Sequence, residues 1–251
     1  MAIDEALLRS FDPFSSRPVL RLYGWEPAAL SLGRFQAAGD VLNLPRCRNE
    51  RVAVVRRITG GGVIYHADEL TYSIVCSPDQ IPPAASIKDS FRVLTAFLIA
   101  FYRRLGLEAG YAVDASTPGE RLGERTGFCF AGRESYDILV QGRKIGGNAQ
   151  RRLKSVIFQH GSIPLADRVP DGLSYLREQP PNIVGTTTCL GALGIADEQQ
   201  SLQRELSDSF ADTFNVALHS GGLTAEEAEA AACLLQDKYE SDAWNLEGSE
   251  A

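Results

Sequence analysis

The stretch RRITGGGVIYHADELTYSIV, at residues 56–75, contains three consecutive glycines between two apolar runs. The runs at 52–55 and 71–76 are rich in β-branched and aromatic side chains, which favour strands. Glycines between two such runs interrupt the strand pattern and predict a loop that joins them. We therefore expect a sheet that carries a glycine-rich loop.

The loop has the composition of a ligand-binding segment. Gly60, Gly61 and Gly62 have no side chains, so their backbone N–H groups can approach an acyl carbonyl or a phosphate closely. For three glycines alone, a flexible hairpin turn is the better interpretation. The paired arginines that end at Arg57 and the downstream His66 favour a binding loop instead.

Helix and strand patterns continue on both sides of this stretch. Ser86 with Asp89, and Thr224 with Glu227, match the capping boxes that begin helices. The patterns predict helices at residues 2–10, 87–105, 197–218 and 224–239, and strands at 18–25, 28–32, 52–55, 71–76, 136–140, 144–150 and 156–165. This order predicts an α+β fold, with a mixed, largely antiparallel sheet flanked by helices. We expect the acidic tail after Trp244 to be frayed.

A second candidate segment is GRKIGGNAQRR, at residues 142–152. Glycines weaken a strand, so their presence predicts that something packs closely against the backbone there, and a ligand is the natural candidate. Lys144 could stabilise the charge that develops on a carbonyl oxygen during acyl transfer. The alternative is a solvated strand lysine. Gly147 and Asn148 lie in the same segment.

Two further residues carry possible chemistry. Cys129 lies between two phenylalanines, where a cysteine is more often a small buried hydrophobic residue. Beside a lysine ammonium, however, its thiol would be acidified and could carry an acyl group as a thioester. His160 lies in a predicted strand, and it is either a hydrogen-bonded strand histidine or a substrate contact.

Composition excludes several classes of protein. The 251 residues, 44% hydrophobic and 23% charged, suit one large globular domain. The net charge of −7 argues against a nucleic-acid partner. There is no apolar run of the roughly 20 residues that a membrane span needs and no signal-peptide pattern, so we expect a cytoplasmic protein. The five cysteines form no CxxC pair and the three histidines are far apart, so we expect no metal site.

Taken together, these segments resemble the biotin/lipoate ligase superfamily. The resemblance covers nearly the whole chain, rests on residues 56–75, 142–152 and 158–163, and is supported by MAIDEALL at 1–8 and KYESDAWN at 238–245. Within the superfamily, the chain is most similar to the cysteine-dependent octanoyltransferases of the lipoate-protein ligase A-like branch. The resemblance implies one catalytic domain of that fold over 1–251, in which 197–245 form a helical C-terminal part.

The resemblance also implies roles for the candidate residues. Cys129 would be the nucleophile, and Lys144 would position the carbonyl and lower the pKa of the thiol. The residues expected to bind substrate are Arg57, Gly60, Gly61, Gly62, His66, Gly147, Asn148 and His160. Of these, the loop glycines and His66 would shape the acyl pocket, with Arg57 and Asn148 at its mouth.

The implied reaction moves an octanoyl group from acyl carrier protein, through a cysteine thioester, to a lysine of a lipoyl domain or glycine-cleavage H protein. No ATP or metal is expected, since a thioester is already activated. Two alternatives remain. One is an ATP-dependent lipoate-protein ligase. Asn148 lies where serine is frequent in the transferases, and this substitution is also compatible with ligases. The other is a non-catalytic acyl-binding accessory subunit.

Two further expectations concern the ends and the surface of the domain. Members of the family usually have a strand ahead of the MAIDEALL helix, so we expect an open sheet edge here. Carrier proteins and lipoyl domains are typically acidic, so docking to a chain of net charge −7 requires a locally basic face. Two clusters are the candidates: Arg46, Arg48, Arg51, Arg56 and Arg57, and Arg151, Arg152 and Lys154.

Overall fold

The computed structural model describes residues 1–84, 86–116, 122, 127–180, 183 and 185–249. The strands are β1 (Val19–Tyr23), β2 (Ala29–Leu32), β3 (Ala53–Arg56), β4 (Ile64–His66), β5 (Glu69–Cys76), β6 (Ala109–Tyr111), β7 (Ile138–Val140), β8 (Arg143–Lys144), β9 (Gly147–Leu153) and β10 (Val156–Pro164). The helices are α1 (Ala2–Ser10), α2 (Ala38–Val41), α3 (Leu44–Asn49), α4 (Ile87–Arg104), α5 (Ala112–Ala115), α6 (Val169–Ser174), α7 (Gln199–Phe214) and α8 (Ala225–Leu234). Short helical turns cover Pro78–Gln80, Cys129–Ala131, Gly191–Leu193, Leu235–Tyr239 and Ala243–Glu247.

These strands form three sheets. An antiparallel sheet has the order β1-β5-β10-β9, and a second antiparallel sheet has the order β6-β7-β8. In the sheet β3-β2-β4, the pair β2/β3 is parallel and the pair β2/β4 is antiparallel. The predicted α+β fold, with a mixed, largely antiparallel arrangement and flanking helices, is confirmed.

Aromatic side chains join the largest sheet to the two long helices. The Phe97 ring in α4 packs edge-on against Tyr72 of β5, with centroids 5.1 Å apart, and against Phe210 of α7 at 5.2 Å. Tyr72 and Phe97 are fully buried. The predicted start of α4 is confirmed, because the Ser86 side chain accepts a hydrogen bond from the Asp89 backbone N–H. This packing joins the two helices to β5, which lies between β1 and β10 in the sheet.

The single strand predicted at 144–150 is split in the structure. Gly146 has a φ of +82°, and a Cβ there would lie 2.1 Å from the carbonyl oxygen of Ser162. The chain therefore leaves one sheet at Lys144 and enters another at Gly147. The preceding turn was predicted correctly: Gln141 and Gly142 both have positive φ, as a two-residue hairpin turn requires.

The C-terminal segment is ordered, so the expected fraying after Trp244 is wrong for the described residues. Trp244 and Asn245 are buried. Arg56 donates hydrogen bonds from its guanidinium to the carbonyls of Trp244 and Leu246, and its backbone N–H donates to the Asn245 side chain. Residues 250–251 of the predicted tail lie outside the described residues. A buried arginine needs many acceptors, and this segment supplies several of them.

Helix α7 is shorter than predicted. It ends at Phe214 rather than Leu218, because Asn215 adopts the left-handed conformation that closes many helices. The short helices α2 and α3 between β2 and β3 were not predicted. Neither is long enough to show a hydrophobic period, although Asn43 caps α3 by accepting from the Arg46 backbone N–H.

A substitution at the sheet transition tests the role of Gly146. Gly194 is a matched control, because its φ is +84° but nothing lies within 4 Å of an added Cβ. Gly194→Ala should cost only the conformational penalty of roughly 1–2 kcal/mol. Gly146→Ala carries the same penalty and also collides with a backbone carbonyl, so its free energy of unfolding should fall by about 1–3 kcal/mol more. Chemical denaturation measures both, and equal losses would contradict the close approach.

The buried C-terminal anchor can be tested in the same way. Trp244→Ala removes a side chain that is 1% exposed, so we expect the free energy of unfolding to fall, by about 3–5 kcal/mol. Phe14→Ala is the control, because Phe14 is 96% exposed. Its removal should change stability by less than about 0.5 kcal/mol. A Trp244→Ala variant as stable as the control would mean that the tail is frayed after all.

Candidate functional site

Cys129 begins a helical turn that is attached to the glycine-rich loop. Its backbone N–H donates to the Val63 carbonyl, and the Val63 N–H donates to the Gly127 carbonyl. A Cβ added to Gly147 would lie 3.0 Å from the Cys129 sulfur, so the absence of a side chain at Gly147 leaves room for it. The sulfur therefore lies between two of the predicted segments.

Cys129 differs in exposure from the other cysteines. It is half-buried, whereas Cys47, Cys76 and Cys189 are buried and Cys233 is exposed. Burial raises the pKa of Cys76 to about 12, which keeps that thiol protonated and inert. Cys129 thus combines accessibility with a position beside two predicted site segments.

The Lys144 ammonium is buried beside Cys129. Its Nζ donates to the carbonyls of Cys129 and Gly132, both at 2.9 Å, and lies 2.7 Å from an Asp137 carboxylate oxygen. Burial alone lowers the pKa of Lys144, but the negative charges of a Cys129 thiolate and of Asp137 outweigh it, so the pKa is raised. Lys144 is therefore a fixed cation at the cysteine, and not a solvated strand lysine.

Asp137 was not predicted from the sequence. It lies seven residues ahead of Lys144, across the β7–β8 hairpin, and is 6% exposed. Its carboxylate also accepts a hydrogen bond from the Glu134 backbone N–H at 2.7 Å. The sequence did contain a signal for this ion pair. A carboxylate and a lysine lie on the two sides of a predicted hairpin, and their side chains come together once the hairpin closes.

Arg57 lies beneath the loop rather than at the mouth of a pocket. Its guanidinium donates to the carbonyls of Gly60 and Gly62 at 2.9 and 2.7 Å, and to the carbonyl and hydroxyl of Ser31 at 2.9 and 3.0 Å. Only 1% of its surface is exposed, and burial lowers the pKa of Arg57 to about 10. It remains a cation at neutral pH and fixes the shape of the glycine loop.

The loop also needs a glycine on the opposite strand. A Cβ at Gly33 would lie 2.0 Å from the Gly61 carbonyl oxygen, and Gly61 itself has a φ of +98°. The two backbones are therefore in direct contact. Gly60 and Gly62 present their carbonyls to Arg57, so the guanidinium fixes one side of the loop backbone.

His66 belongs to a chain of hydrogen bonds. Arg57 donates to the Ser31 hydroxyl, and that hydroxyl lies 2.7 Å from His66 Nε2. His66 Nδ1 then donates to Glu69 at 2.7 Å. Trp25 stacks on the imidazole, with ring centroids 4.0 Å apart. Ser31, Glu69 and Trp25 were not predicted, since none of them forms a sequence motif.

Glu69 accepts three hydrogen bonds at the end of this chain. Besides His66, it accepts hydrogen bonds from the hydroxyls of Thr71 and Ser162. Burial alone raises the pKa of Glu69, but the interactions with His66, Ser162 and Thr71 outweigh it and lower the pKa. Because Ser162 pairs with Gly147 across β9 and β10, the chain connects the glycine loop to the strand beside the cysteine.

His160 contacts the same loop from β10. Its Nε2 lies 2.7 Å from the Thr59 hydroxyl. Burial, together with the Arg57 charge, lowers the pKa of His160 to about 3, so the imidazole is neutral at pH 7. It can orient Thr59 or a substrate atom through a hydrogen bond.

Asn148 and Gly147 lie at the start of β9. The Asn148 side-chain oxygen accepts a hydrogen bond from the Tyr72 hydroxyl at 2.7 Å. A Cβ at Gly161 would lie 2.2 Å from the same Asn148 oxygen. These neighbours therefore hold the Asn148 side chain in place at the start of β9.

The structure corrects one of the predicted basic clusters. Arg56 and Arg57 are each 1% exposed and bind backbone carbonyls, so they cannot contribute to a docking face. Arg46, Arg48 and Arg51 are exposed. In the second cluster, Arg151 is half-buried and donates to the Ile58 carbonyl at 3.0 Å.

Within the described part of the chain, no three histidine, cysteine, aspartate or glutamate side chains are placed to hold a metal ion. In that same part, no helix has both the length and the apolar composition needed to cross a membrane.

The candidate site combines two buried cations, a half-buried cysteine and glycine-rich backbone.

Removing the charge of Asp137 tests the Lys144 arrangement. Asp137→Asn leaves a buried ammonium without its counterion, so the free energy of unfolding should fall by about 3 kcal/mol or more. Because the pKa of Lys144 is raised above its ordinary value of 10.5, the stabilisation is complete below that pH and is lost as pH rises through the raised pKa. Chemical denaturation at pH values from 6 to 11 measures this stabilisation.

The control is Asp212→Asn, which breaks an exposed ion pair with Arg104. It should change stability little, because exposed ion pairs contribute little. The difference between wild-type protein and Asp137→Asn should stay constant to pH 9 and shrink only at higher pH. A difference that disappeared on going from pH 9 to pH 6 would contradict the assignment.

Relatives of known name span nearly the whole chain. The octanoyltransferase LipM of Kyrpidia tusciae is 35% identical over 260 residues, covering 98% of this chain and 93% of the relative. The octanoyltransferase LipM of Bacillus subtilis is 34% identical over 256 residues, covering 98% and 92%. The resemblance predicted from the motifs is confirmed.

Solved structures share the fold. Lipoate-protein ligase A bound with ATP has a TM-score of 0.80 at 24% identity, covering 98% of this chain and 92% of the other. A bipartite lipoate protein ligase from Thermoplasma acidophilum has a TM-score of 0.80 at 22% identity, covering 100% and 91%. The sequence model of the lipoyl protein ligase A/B catalytic domain matches residues 1–187, and the chain belongs to that family.

Proposed function

We propose that the chain is an octanoyltransferase of protein lipoylation that works through a thioester on Cys129. The relatives named octanoyltransferase match it from end to end, which favours this activity over an ATP-dependent ligase. The observation that carries the proposal is the half-buried Cys129, whose backbone carbonyl accepts a hydrogen bond from the buried Lys144 ammonium. A ligase that adenylates a free acid has no need of this thiol.

The first half of the reaction loads the enzyme. The Cys129 thiolate attacks the carbonyl carbon of the octanoyl thioester, a new C–S bond forms, and the bond to the donor sulfur breaks. The donor leaves as a thiol with the proton that Cys129 gave up. The Lys144 ammonium stabilises the negative charge that develops on sulfur and oxygen.

The second half transfers the acyl group to an acceptor lysine. The neutral amine attacks the enzyme thioester, a C–N bond forms, and the Cys129 C–S bond breaks. The proton released from the amine returns to the cysteine sulfur. Each step starts from a thioester, in which the acyl group is already activated. We therefore propose that neither ATP nor a metal ion takes part.

The other predicted residues would hold the acyl chain. In this proposal the N–H groups of Gly60, Gly61 and Gly62 face the chain or its carbonyl, while His66 and His160 border the pocket. The contacts of Arg57 support an indirect role, because its donors go to Ser31 and to the loop carbonyls. Gly147 and Asn148 would border the thioester.

The donor would be octanoyl-acyl carrier protein, and the acceptor a lipoyl domain or glycine-cleavage H protein, in the cytoplasm. A lipoyl domain is named with one of the structural neighbours, the ligase of Thermoplasma acidophilum. The exposed Arg46, Arg48 and Arg51 are the residues of the first basic cluster that could face an acidic partner, although Arg46 already pairs with Glu50 at 2.8 Å. Their charges would offset the net −7 of the chain locally.

Intact-mass measurement tests the covalent step. Incubation with octanoyl-acyl carrier protein, without ATP, should add the mass of one octanoyl group to the wild-type protein. Cys129→Ser should show no such addition, because an ordinary serine hydroxyl is a far weaker nucleophile. Cys233→Ser is the matched control: it removes an exposed thiol far from Lys144 in sequence and should be loaded like the wild type.

Other outcomes would assign other functions. Modification of a lipoyl domain by free lipoate and ATP, unchanged in Cys129→Ser, would establish the ligase alternative. Acyl binding with neither activity would leave the accessory subunit.

A further inference from the structure

The loop between β2 and α2 connects two parts of the candidate site through one side chain. The side-chain oxygen of Gln36 accepts a hydrogen bond from the Gly33 backbone N–H at 2.9 Å, and its side-chain nitrogen donates to the Gly127 carbonyl at 2.9 Å. Gly33 is in contact with the glycine-rich loop at Gly61, and Gly127 lies two residues ahead of Cys129. A half-buried glutamine therefore bridges the glycine-rich loop and the segment that carries the cysteine.

At the Gly127 end, the Gln36 amide is a second anchor for the backbone that leads into Cys129. The first anchor is Val63, whose N–H donates to the Gly127 carbonyl and whose carbonyl accepts from the Cys129 N–H, both at 2.9 Å. A carbonyl oxygen has two lone pairs, so Gly127 can accept from Val63 and Gln36 together. Contacts to Val63 alone would let the cysteine segment pivot relative to the glycine-rich loop, whereas two anchors fix the angle between them.

At the Gly33 end, the backbone of the loop between β2 and α2 is held in place by Arg56. The Arg56 guanidinium, 1% exposed, donates to the carbonyls of Gly33 and Gln36 at 3.1 and 2.7 Å. The Arg34 N–H donates to the Thr59 carbonyl at 2.8 Å, just ahead of the three glycines. The Gln36 side chain thus extends from backbone that is fixed to a buried cation and to the start of the glycine-rich loop.

The two ends of this bridge require opposite hydrogen-bonding groups. A backbone N–H only donates and a carbonyl only accepts, so the bridging head group must supply one acceptor and one donor. An amide supplies both, and its nitrogen is the end that faces Gly127. A carboxylate of the same shape keeps the acceptor for Gly33 and loses the donor for Gly127. Gln36→Glu therefore breaks the bridge at the cysteine end alone.

We propose that Gln36 is a positioning residue of the acyl transfer. Its amide sets the angle between the glycine-rich loop and the Cys129 segment, so that an acyl chain held by the loop presents its carbonyl carbon to the sulfur. The inference rests on the proposed function, in which that loop holds the chain, and it adds the residue that aligns the two. Gln36 acts through the Gly127 carbonyl and touches neither substrate nor sulfur. Misplacing reacting atoms by roughly 1 Å can lower a rate by about 100-fold.

Gln80 offers a matched control, because it forms the same kind of bridge elsewhere in the chain. Its side-chain oxygen accepts from the Ser77 N–H at 2.9 Å, also three residues earlier, and its nitrogen donates to the Ser16 carbonyl at 2.8 Å. Ser16, Ser77 and Gln80 lie outside the candidate site. Gln36→Glu and Gln80→Glu each lose one donated hydrogen bond, so the melting temperature should fall by a similar amount in both, about 1–6 °C.

Two reagents separate the alignment from the reactivity of the thiol. A small octanoyl thioester must be held by its chain and attacked by Cys129, whereas iodoacetamide alkylates the thiol without an acyl chain. Gln36→Glu should lower the maximal rate of octanoyl loading by about 10- to 100-fold and change the half-saturating concentration by less than about 2-fold. Alkylation of Cys129, measured by peptide mass, should stay within about 2-fold of the wild-type rate, because the Lys144 contacts of the turn are kept. Gln80→Glu should change neither rate.

A second pair of variants removes the bridge without adding a charge. Gln36→Met has nearly the same length and shape, but its thioether cannot donate and accepts only weakly. It should show the same selective loss of octanoyl loading, with Gln80→Met as its control. A loss in Gln36→Glu that is absent from Gln36→Met would come from the added carboxylate and would overturn the proposal.

The remaining outcomes separate this inference from the proposed function. Octanoyl loading that falls no more than alkylation does, or an equal loss in Gln80→Glu, would overturn the positioning role and leave the Gln36 bridge as a stabilising contact only. The proposed function would fail instead if the wild-type protein were alkylated at Cys129 but loaded by neither the small thioester nor octanoyl-acyl carrier protein.

Discussion

The buried ammonium of Lys144 is the constraint on which the site depends. A charge removed from water must be surrounded by acceptors, and this one takes the carbonyls of Cys129 and Gly132 and the carboxylate of Asp137. Two of these acceptors belong to the segment that carries the thiol. Satisfying the lysine therefore sets the position of the cysteine, so the interaction that stabilises the fold also holds Cys129 beside the cation.

Arg57 does for the glycine loop what Lys144 does for the cysteine. Its donors go to Ser31 and to the carbonyls of Gly60 and Gly62, which orients the loop and begins the chain through His66 to Glu69. Both cations thus bind backbone carbonyls, and three of the residues that supply them, Gly60, Gly62 and Gly132, are glycines. Glycine permits the close approaches, and the buried charges remove the freedom that glycine brings.

Sequence patterns were sufficient where structure is local. The amphipathic spacing of α4 and its Ser86 cap predicted that helix, and the Gln141–Gly142 pair predicted its hairpin. Lys144 was found because it lies in the glycine-rich segment at 142–152, and Cys129 because of the role that the family resemblance implies. Asp137 was missed because its role appears only after the hairpin closes.

Long-range contacts account for the other differences. The local sequence predicts that Arg56 and Arg57 are surface charges. Both are buried, because they bind carbonyls that the local sequence does not reveal. Ser31 and Glu69 are likewise ordinary strand residues until three strands bring them to His66. The ordered tail has the same origin, because its anchor lies almost two hundred residues earlier, with separations of 188 and 189 residues for Trp244 and Asn245.

That anchor has a consequence for biosynthesis. Arg56 leaves the ribosome early, but its acceptors at Trp244 and Leu246 follow 188 and 190 residues later along the chain. Until they emerge, the guanidinium lacks part of its shell of acceptors. Domains generally fold as units during synthesis. The end of β3 therefore completes its contacts only when residues 244–246 have left the ribosome, although the strand itself was made long before.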